Sequence, residues 1–292
     1  MKKAIAVILS VTLLCLVFGI ALSAKQDAKR LDFLVLGDSI AAGSGVRNQE
    51  EQAYAWIVAR EKGWALTNYG AGGDISADLL RKVKEDEEIR RAIRAADVIA
   101  VSTGGNDLLH AEEFYGLIYN GLLGDYSQQK PVHEAFRANF AGIIKGIRAL
   151  NPDAALVVQT LYQPAFSIVP PSLYDAYGAA IRGINAGIYE YYGENPCDFL
   201  LADVYSAFEQ RYGAVFIDMT HPSAIGHAVI AQVLLAAIDG VPAVTARTVW
   251  DDLIDAALPL LMPWLRRFDS ILVAALRMLK PILSPVMALI DG

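Results

Sequence analysis

Ser39, Asp218 and His221 are of the residue types that together catalyse acyl transfer. A serine hydroxyl becomes a nucleophile when a histidine removes its proton, and the histidine in turn needs an acidic side chain to orient its ring. Asp218 precedes His221 by three residues in a tight loop. Its carboxylate can therefore reach the imidazole Nδ1 and leave Nε2 free as a base. A turn aspartate beside a helix-capping histidine would give the same local pattern.

The segment Gly37-Asp38-Ser39 follows the apolar run Phe33–Leu36 directly. An apolar run followed by glycine predicts a buried strand that ends in a turn. We expect a helix to begin at Ser39, where free backbone N–H groups and the helix dipole would favour developing negative charge. Serine is also a common helix cap. The tripeptide alone therefore leaves two roles open for Ser39, nucleophile and cap.

Two glycine-containing segments follow the next two predicted strands, at residues 68–74 and 103–107. Glycines allow backbone N–H groups to approach a ligand closely, and the second segment also offers the side-chain amide of Asn106. Such donors stabilise the oxyanion of an acyl-transfer reaction, and losing one slows catalysis by about 10²–10³-fold. Each segment taken alone also fits an ordinary glycine-rich turn, and neither has the spacing of a phosphate-binding loop.

Short apolar strands alternate with longer amphipathic helices along the middle of the chain. Strands are predicted over 32–36, 64–69, 97–102, 155–161, 199–204 and 214–217, and helices over 53–62, 75–95, 132–150, 173–192 and 224–238. This alternation predicts a parallel sheet with helices on both faces. In open sheets of this kind, ligands bind beyond the carboxyl ends of the strands, where all of the segments above are expected to lie.

Taken in order, these segments resemble the four sequence blocks of the SGNH (GDSL) hydrolase family of esterases and lipases. The blocks are Gly37-Asp38-Ser39, the segment at Gly73, Gly105-Asn106-Asp107, and Asp218-x-x-His221-Pro222. The resemblance spans about residues 32–238. It implies an α/β fold, a three-layer α/β/α sandwich of the flavodoxin-like type with a mostly parallel sheet.

The resemblance also implies a catalytic role for three of these residues. Ser39 would be the nucleophile, His221 the general base and acid, and Asp218 the residue that orients His221. The family's reaction needs no metal ion and no cofactor, and none is expected here.

An oxyanion hole is implied by the same resemblance. It would consist of the backbone N–H groups of Ser39 and Gly73 and the side-chain amide of Asn106. The choice of Gly73 over Gly72 depends on aligning the glycine pair with the family's usual Ser-Gly pair, so Gly72 is the alternative donor.

The N-terminus of this 292-residue chain has the layout of a targeting segment. Lys2 and Lys3 precede an uncharged apolar stretch, residues 4–22, which ends in small residues suited to cleavage after Ser23. This pattern is typical of a secretory signal peptide over residues 1–23, with an uncleaved membrane anchor as the alternative. We therefore expect an exported protein that is secreted or associated with the cell envelope.

The charge of the chain excludes some classes of partner. Without residues 1–23 it has 23 Lys and Arg against 32 Asp and Glu, a formal charge of −9. An acidic domain is a poor candidate for binding nucleic acid or for overall attraction to anionic lipid. Cys197 is then the one remaining cysteine, so an intramolecular disulfide cannot form.

Residues 241–292 form a tail that the family resemblance does not cover. Its apolar residues recur at helical spacing, but Pro259, Pro263, Pro281 and Pro285 interrupt them. We expect two or three amphipathic helical pieces. Three alternatives are open for this tail: packing against the hydrolase domain of residues 32–240, peripheral contact with a membrane, and a lid near the active site.

The predicted function is that of an exported serine esterase or lipase that hydrolyses carboxylic esters. Its substrate would be a small-molecule or lipid ester, and the aromatic residues Tyr162, Phe166, Tyr174 and Tyr177 favour a lipid-like acyl chain. Removal of O-acetyl groups from cell-envelope polysaccharide is the alternative reaction. The alternative from another class is a catalytically silent binding protein with the same fold.

Overall fold

The computed structural model describes residues 30–111, 114–164, 169–209, 211–212, 214, 220–243, 245 and 247–290. A single unit begins at Asp32 and extends to the C-terminus. Four predicted features lie outside the described residues. They are the signal peptide over 1–23, most of the strand over 214–217, and the side chains of Phe166 and Asp218.

A five-stranded parallel sheet forms the centre of this unit. Its strands are β1 (Asp32–Gly37), β2 (Ala65–Gly70), β3 (Val98–Ser102), β4 (Ala155–Gln159) and β5 (Leu200–Ala202). They are arranged in the order β2-β1-β3-β4-β5, and every neighbouring pair is parallel. This is the strand order of flavodoxin-like doubly wound sheets. The predicted fold class is therefore confirmed.

Helices connect the strands and cover the sheet. They are α1 (Gln49–Gln52), α2 (Tyr54–Lys62), α3 (Ser76–Glu85), α4 (Glu87–Ala95), α5 (Gly105–Leu109), α6 (Phe114–Leu122), α7 (Lys130–Leu150), α8 (Pro171–Glu194), α9 (Val204–Phe208), α10 (Ala224–Asp239) and α11 (Val249–Ile290). Of these, α3, α4, α7 and α8 pack on one face of the sheet, whereas α2, α9 and α10 pack on the other.

Strand β1 shows why the strands read as continuous apolar runs. Leu34 and Leu36 belong to the core on one face of the sheet, and Phe33 and Val35 belong to the core on the other. Successive side chains of a strand point to opposite faces. A strand with helices on both faces must therefore be apolar at every position.

Residues 75–95 were predicted to form one helix but form two, α3 and α4, so that prediction is wrong. Asp86 separates α3 from α4, and its side chain accepts hydrogen bonds from the backbone N–H groups of Glu88 (2.9 Å) and Ile89 (3.1 Å). An aspartate is a strong N-cap, because its oxygen satisfies N–H groups that have no partner within the helix. The cap favours a new helix start over continuation of the old helix.

The tail forms one helix of 42 residues, α11, and the prediction of two or three pieces is therefore wrong. Pro259, Pro263 and Pro281 all lie on its exposed side. Each proline removes the hydrogen bond to the carbonyl group four residues earlier. On this exposed side water can bind those carbonyl groups instead, and long helices tolerate such bends. Within the described part of the chain, no helix has both the length and the apolar character needed to span a membrane.

Candidate active site

The carboxyl ends of β1, β2 and β3 meet at one edge of the sheet. Gly37, the last residue of β1, pairs with Gly70 of β2 and with Ser102 of β3. A Cβ atom at position 37 would lie 1.9 Å from the carbonyl oxygen of Ser102, so only glycine allows this close approach. The loops that follow the three strands therefore begin side by side.

Ser39 lies in a turn over residues 39–45, half-buried, and not at the start of a helix. The predicted helix at this position is wrong, and the first described helix, α1, begins at Gln49. Gly43 (φ +86°) and Gly45 (φ +98°) adopt conformations that cannot continue a right-handed helix. The backbone N–H of Ser39 makes no hydrogen bond to any described residue.

The structure brings Ser39 and His221 together although 182 residues separate them. The distance between His221 Nε2 and Ser39 Oγ is 3.1 Å, which is a hydrogen bond. His221 lies just before α10, whose first turn is capped by Ser223. The hydroxyl of Tyr162 donates a hydrogen bond to the carbonyl oxygen of Thr220, next to the histidine. Asp218, the predicted orienting residue, lies outside the described residues.

A second histidine supports the turn that carries Ser39. His227 is fully buried in α10, and its Nε2 donates to the carbonyl oxygen of Ser44 (2.9 Å). Its Nδ1 accepts the backbone N–H of Tyr54 (3.3 Å), at the start of α2. Burial lowers the pKa of His227. Because both ring nitrogens already have partners, His227 connects α10, the Ser39 turn and α2.

Asn106 lies near Ser39, at the start of α5, and is buried. Its Nδ2 donates a hydrogen bond to the carbonyl oxygen of Asp74 (3.0 Å), which connects the loops after β2 and β3. An amide nitrogen carries two hydrogens, so this bond uses one of its two donors. Gly73 is exposed with φ +84°, whereas a Cβ at Gly72 would lie 4.0 Å from Ser39 Cβ.

The same two loops are joined by a second set of hydrogen bonds that the sequence reasoning missed. The carboxylate of Asp107 accepts hydrogen bonds from both the backbone N–H (2.9 Å) and the hydroxyl of Ser76. The side-chain amide of Asn139 donates to the Ser76 hydroxyl (3.0 Å). Burial raises the pKa of Asp107. Asp107 thus fixes α3 to α5, and with them the loops at Gly73 and Asn106.

A cavity opens beside Ser39. Its polar lining residues are Asp38, Ser39, Asn106 and Thr220. The rest of its lining is mainly apolar and comes from Ile40, Leu108, Leu109, Leu117, Ile118, Leu161, Tyr162, Pro164, Tyr177, Ala180 and Ile181. Helix α6, which the sequence reasoning missed, and α8 supply much of this wall. Of the four aromatic residues expected near an acyl chain, Tyr162 and Tyr177 line the cavity and Tyr174 does not.

Asp38 is a buried acid in the wall of this cavity. Its Oδ1 accepts the backbone N–H of Ile40 (3.0 Å), which holds the turn beyond Ser39. Burial, offset in part by backbone hydrogen bonds, raises its pKa to about 6. In the part of the chain that the structure describes, no group of three or more His, Cys, Asp or Glu side chains is placed to hold a metal ion.

The arrangement of these residues agrees with a family match. Residues 35–229 match the model of the GDSL-like Lipase/Acylhydrolase family. The chain belongs to this family, which confirms the resemblance to SGNH (GDSL) hydrolases.

Curated and solved relatives cover most of the same region. Spore germination lipase LipC of Bacillus licheniformis is 26% identical over 230 residues, 71% of this chain and 96% of LipC. The crystal structure of the lipase Lip_vut3 from a goat rumen metagenome has a TM-score of 0.58 at 24% identity, covering 71% of this chain and 97% of Lip_vut3. The crystal structure of Axe2, an acetylxylan esterase from Geobacillus stearothermophilus, has a TM-score of 0.53 at 19% identity. It covers 74% of this chain and 97% of Axe2. The similarities to Lip_vut3 and Axe2, both below 25% identity, show the fold alone.

Proposed function

We propose that this chain is a serine esterase that hydrolyses carboxylic esters with a lipid-like acyl chain. The observation that carries the proposal is the hydrogen bond between Ser39 Oγ and His221 Nε2 at the wall of an apolar cavity. A neutral imidazole at this distance can take the hydroxyl proton as the oxygen attacks. Membership in the GDSL-like Lipase/Acylhydrolase family supports ester hydrolysis as the class of reaction.

The proposed reaction has two steps, acylation of Ser39 and hydrolysis of the acyl-enzyme, and each passes through a tetrahedral intermediate. Ser39 Oγ attacks the ester carbonyl carbon while His221 takes its proton, and His221 then returns that proton to the oxygen of the leaving alcohol. The acyl group remains on Ser39. Water attacks this acyl-enzyme with His221 again as base, which releases the carboxylic acid and restores Ser39. Asp218 is proposed to orient His221 from its Nδ1 side.

The oxyanion that forms at each step needs donors that are already in place. We assign this role to the backbone N–H groups of Ser39 and Gly73 and to the second amide hydrogen of Asn106. The bond from Asn106 to Asp74 supports the assignment, because it fixes the amide while leaving one of its donors unused.

The lining of the cavity favours a long acyl group over acetyl. Its wall is formed mainly by leucine, isoleucine and tyrosine side chains, and each methylene buried there contributes about 0.8 kcal/mol. An acetyl group would leave most of that apolar surface without a partner. LipC, a relative over most of the chain, is a lipase by name. We further propose that the chain is exported, because residues 1–23 have the layout of a signal peptide.

A series of p-nitrophenyl esters of increasing acyl length tests this proposal. The kcat/KM should rise beyond acetyl, and Ser39→Ala should lower it by a factor of about 10³ or more. Ser44→Ala, a serine of the same turn, is the matched control and should keep normal turnover. A fluorophosphonate should label Ser39 and fail to label Ser39→Ala. Unchanged turnover in Ser39→Ala would overturn the proposed mechanism, and a kcat/KM that is highest for acetyl would overturn the proposed substrate class.

A further inference from the structure

Helix α11 is held against the hydrolase domain along its length. Asp251 accepts the backbone N–H of Tyr212 (2.8 Å) near the start of the helix. In the middle, Asp269 accepts hydrogen bonds from the backbone N–H (3.1 Å) and hydroxyl (2.5 Å) of Ser172, the second residue of α8. Farther along, the hydroxyl of Tyr119 in α6 donates to the carbonyl oxygen of Leu276 (2.7 Å). The helix therefore has a fixed inner face.

A second face of α11 is apolar and exposed. It contains ten large side chains, all more than a third exposed: Val249, Trp250, Leu253, Leu260, Leu261, Trp264, Phe268, Ile271, Met278 and Leu279. At about 100° per residue, these ten positions fall within an arc of about 120°. We call them the apolar stripe. Scattered exposed apolar residues are ordinary, but a continuous stripe marks a binding surface.

Two of the three aromatic residues of the apolar stripe, Trp264 and Phe268, lie at its centre. Trp264 is 65% exposed, and its ring stacks on that of Phe268 at 5.8 Å between centroids. Tryptophan is enriched at the boundary between membrane and water, because its ring is apolar and its N–H still needs a polar partner. The headgroup region of a bilayer offers both apolar surroundings for the ring and polar partners for the N–H.

The charges of α11 distinguish a lipid surface from other partners. Residues 256–290 contain four cations and one acid, although the whole chain has a formal charge of −7. The four cations, all exposed, are Arg266, Arg267, Arg277 and Lys280. The acid, Asp269, already accepts hydrogen bonds from Ser172. At the same 100° per residue, Arg267 lies at the edge of the apolar stripe, and the other three cations lie on the polar face opposite it. An apolar face with a cationic polar face is the pattern of helices that lie on anionic membranes.

The acidic residues at the start of α11 leave Arg266, Arg267 and Arg277 available to an outside partner, whereas Lys280 lies near Asp125. Asp252 and Asp255 form ion pairs with Arg247, and Asp251 accepts hydrogen bonds from Tyr212 and Thr248. A second copy of the chain that docked stripe to stripe would find these acids already occupied. Anionic phospholipid headgroups would supply the missing negative charge, so charge complementarity favours lipid over a second copy.

We propose that α11 lies in the surface of a membrane that contains anionic phospholipid, with the apolar stripe inserted below the headgroups. The inner face of the same helix contacts α6 and α8, which line the cavity through Leu117, Ile118, Tyr177, Ala180 and Ile181. Binding would place the cavity wall close to the bilayer. The net acidity of the chain opposes long-range attraction, so the interaction depends on the local cations and on insertion of the apolar side chains.

Tryptophan quenching by brominated lipid tests the position of α11 in the membrane. The chain has four tryptophans, with Trp250 and Trp264 in the apolar stripe and Trp56 and Trp64 in the hydrolase domain. Vesicles of equimolar phosphatidylglycerol and phosphatidylcholine, with brominated acyl chains, should quench the full-length protein. The double variant Trp250→Phe/Trp264→Phe should lose this quenching. Quenching reports the position of Trp250 and Trp264, and residues 1–23 contain no tryptophan. The result therefore does not depend on whether residues 1–23 also bind lipid.

Binding to the same vesicles, measured by flotation, tests which side chains carry the interaction. Trp264→Ser/Phe268→Ser should weaken binding by about tenfold or more. Leu200→Ser, which removes an exposed leucine outside α11, should bind like the unmodified chain. Arg266→Gln/Arg267→Gln should reduce the preference for phosphatidylglycerol over pure phosphatidylcholine.

Two results would overturn this proposal. The first is quenching that persists unchanged in Trp250→Phe/Trp264→Phe, which would place the contact elsewhere. The second is a dimer in the absence of lipid that Trp264→Ser/Phe268→Ser dissociates, which would make the apolar stripe an interface between copies. Membrane binding needs no hydrolysis, so Ser39→Ala should retain it. This variant separates failure of the membrane proposal from failure of the proposed esterase activity.

Discussion

Gly45 lies in direct contact with the backbone that carries His221. A Cβ atom at position 45 would be 3.1 Å from His221 Cβ and only 2.2 Å from the carbonyl oxygen of Pro222. The absence of a side chain at Gly45 therefore allows the Ser39 turn and the His221 loop to approach each other. The 3.1 Å contact between Ser39 Oγ and His221 Nε2 depends on this approach.

We predict that Gly45→Ala separates the two loops and lowers kcat/KM for a soluble ester by about 100-fold. A displacement of about 1 Å between reacting groups is enough for a loss of this size. Gly63→Ala is the matched control, because Gly63 also has a positive φ (+68°) but has no atom within 4 Å of the added methyl group. Backbone strain should cost both variants about 1–2 kcal/mol of stability, and the clash with Pro222 should add to the loss in Gly45→Ala. If Gly63→Ala and Gly45→Ala lose activity equally, the contact with the His221 loop is not the cause.

The central strands could be predicted from the sequence because each is a short run of apolar residues buried on both faces. The first three motif segments could also be placed, because parallel strands deliver the loops that follow them to one edge. The register that sets Gly37 beside Ser102 was not predictable, and neither was the contact of Gly45 with Pro222. Both depend on pairs of residues far apart in the chain.

The helices were harder to predict where tertiary contacts outweigh local preference. Helix α11 continues past Pro259 and Pro263, although proline disfavours a helix interior. Its inner face is held by the hydrogen bonds of Asp251 with Tyr212 and of Asp269 with Ser172. Neither bond can be read from the local sequence, because the partners lie far apart in the chain. The position of Asp218 relative to His221 stays a prediction.

Tyr162→Phe should lower kcat while leaving KM for a soluble ester nearly unchanged. The Tyr162 hydroxyl donates to the carbonyl oxygen of Thr220, one residue before His221, and its ring stacks on Phe208 at 4.4 Å. Phenylalanine keeps the stacking and removes this donor, so the loop loses one hydrogen bond worth about 1 kcal/mol. We expect a decrease in kcat of about tenfold, measured together with the rate of fluorophosphonate labelling.

Tyr212→Phe is the control for that experiment. It removes a comparable hydrogen bond, from the tyrosine hydroxyl to Asp255 (2.7 Å), at the start of α11 and not at the His221 loop. Its stability should fall by a similar amount and its kcat should not change. A loss of kcat in Tyr212→Phe as large as that in Tyr162→Phe would show that general destabilisation explains both.

Asp38 should make the protein's stability depend on pH between about 4 and 6. Its pKa is raised to about 6 in the folded protein, so in this range the folded state binds a proton that the unfolded state has lost. Protonation then favours folding, and the contribution of Asp38 becomes less favourable as pH rises through 6. At neutral pH the buried charge is unfavourable by on the order of 3 kcal/mol.

Urea unfolding of Asp38→Asn at several pH values measures this effect. The stability of the variant relative to the unmodified chain should be highest near pH 7 and should decline as pH falls to 4. The change with pH identifies the carboxylate, because any steric cost of asparagine is the same at every pH. The difference between Ser44→Ala and the unmodified chain should stay constant across the range. A constant difference for Asp38→Asn as well would mean that Asp38 does not titrate there.

Ala180→Leu should shorten the acyl chain that the cavity accepts. Ala180 is 7% exposed in α8 and lines the cavity beyond Ser39. A larger side chain there takes up space that a long acyl chain would fill, but it leaves the Ser39–His221 pair in place. We expect kcat/KM for long-chain esters to fall by about 10–200-fold, the range for one misfitted methylene group. Turnover of the acetyl ester should stay within about twofold.

The converse variant, Ile181→Ala, tests the same cavity without adding volume. It should widen the cavity and shift the preferred acyl length upward, at a cost in stability of about 2–5 kcal/mol for the lost side chain. Measuring both variants keeps the test decisive if the added methyl groups of Ala180→Leu prevent folding. If both leave the dependence on acyl length unchanged, the acyl chain binds outside this cavity. Opposite shifts in the two variants would place the acyl chain against α8, because both residues lie on that helix and line the cavity.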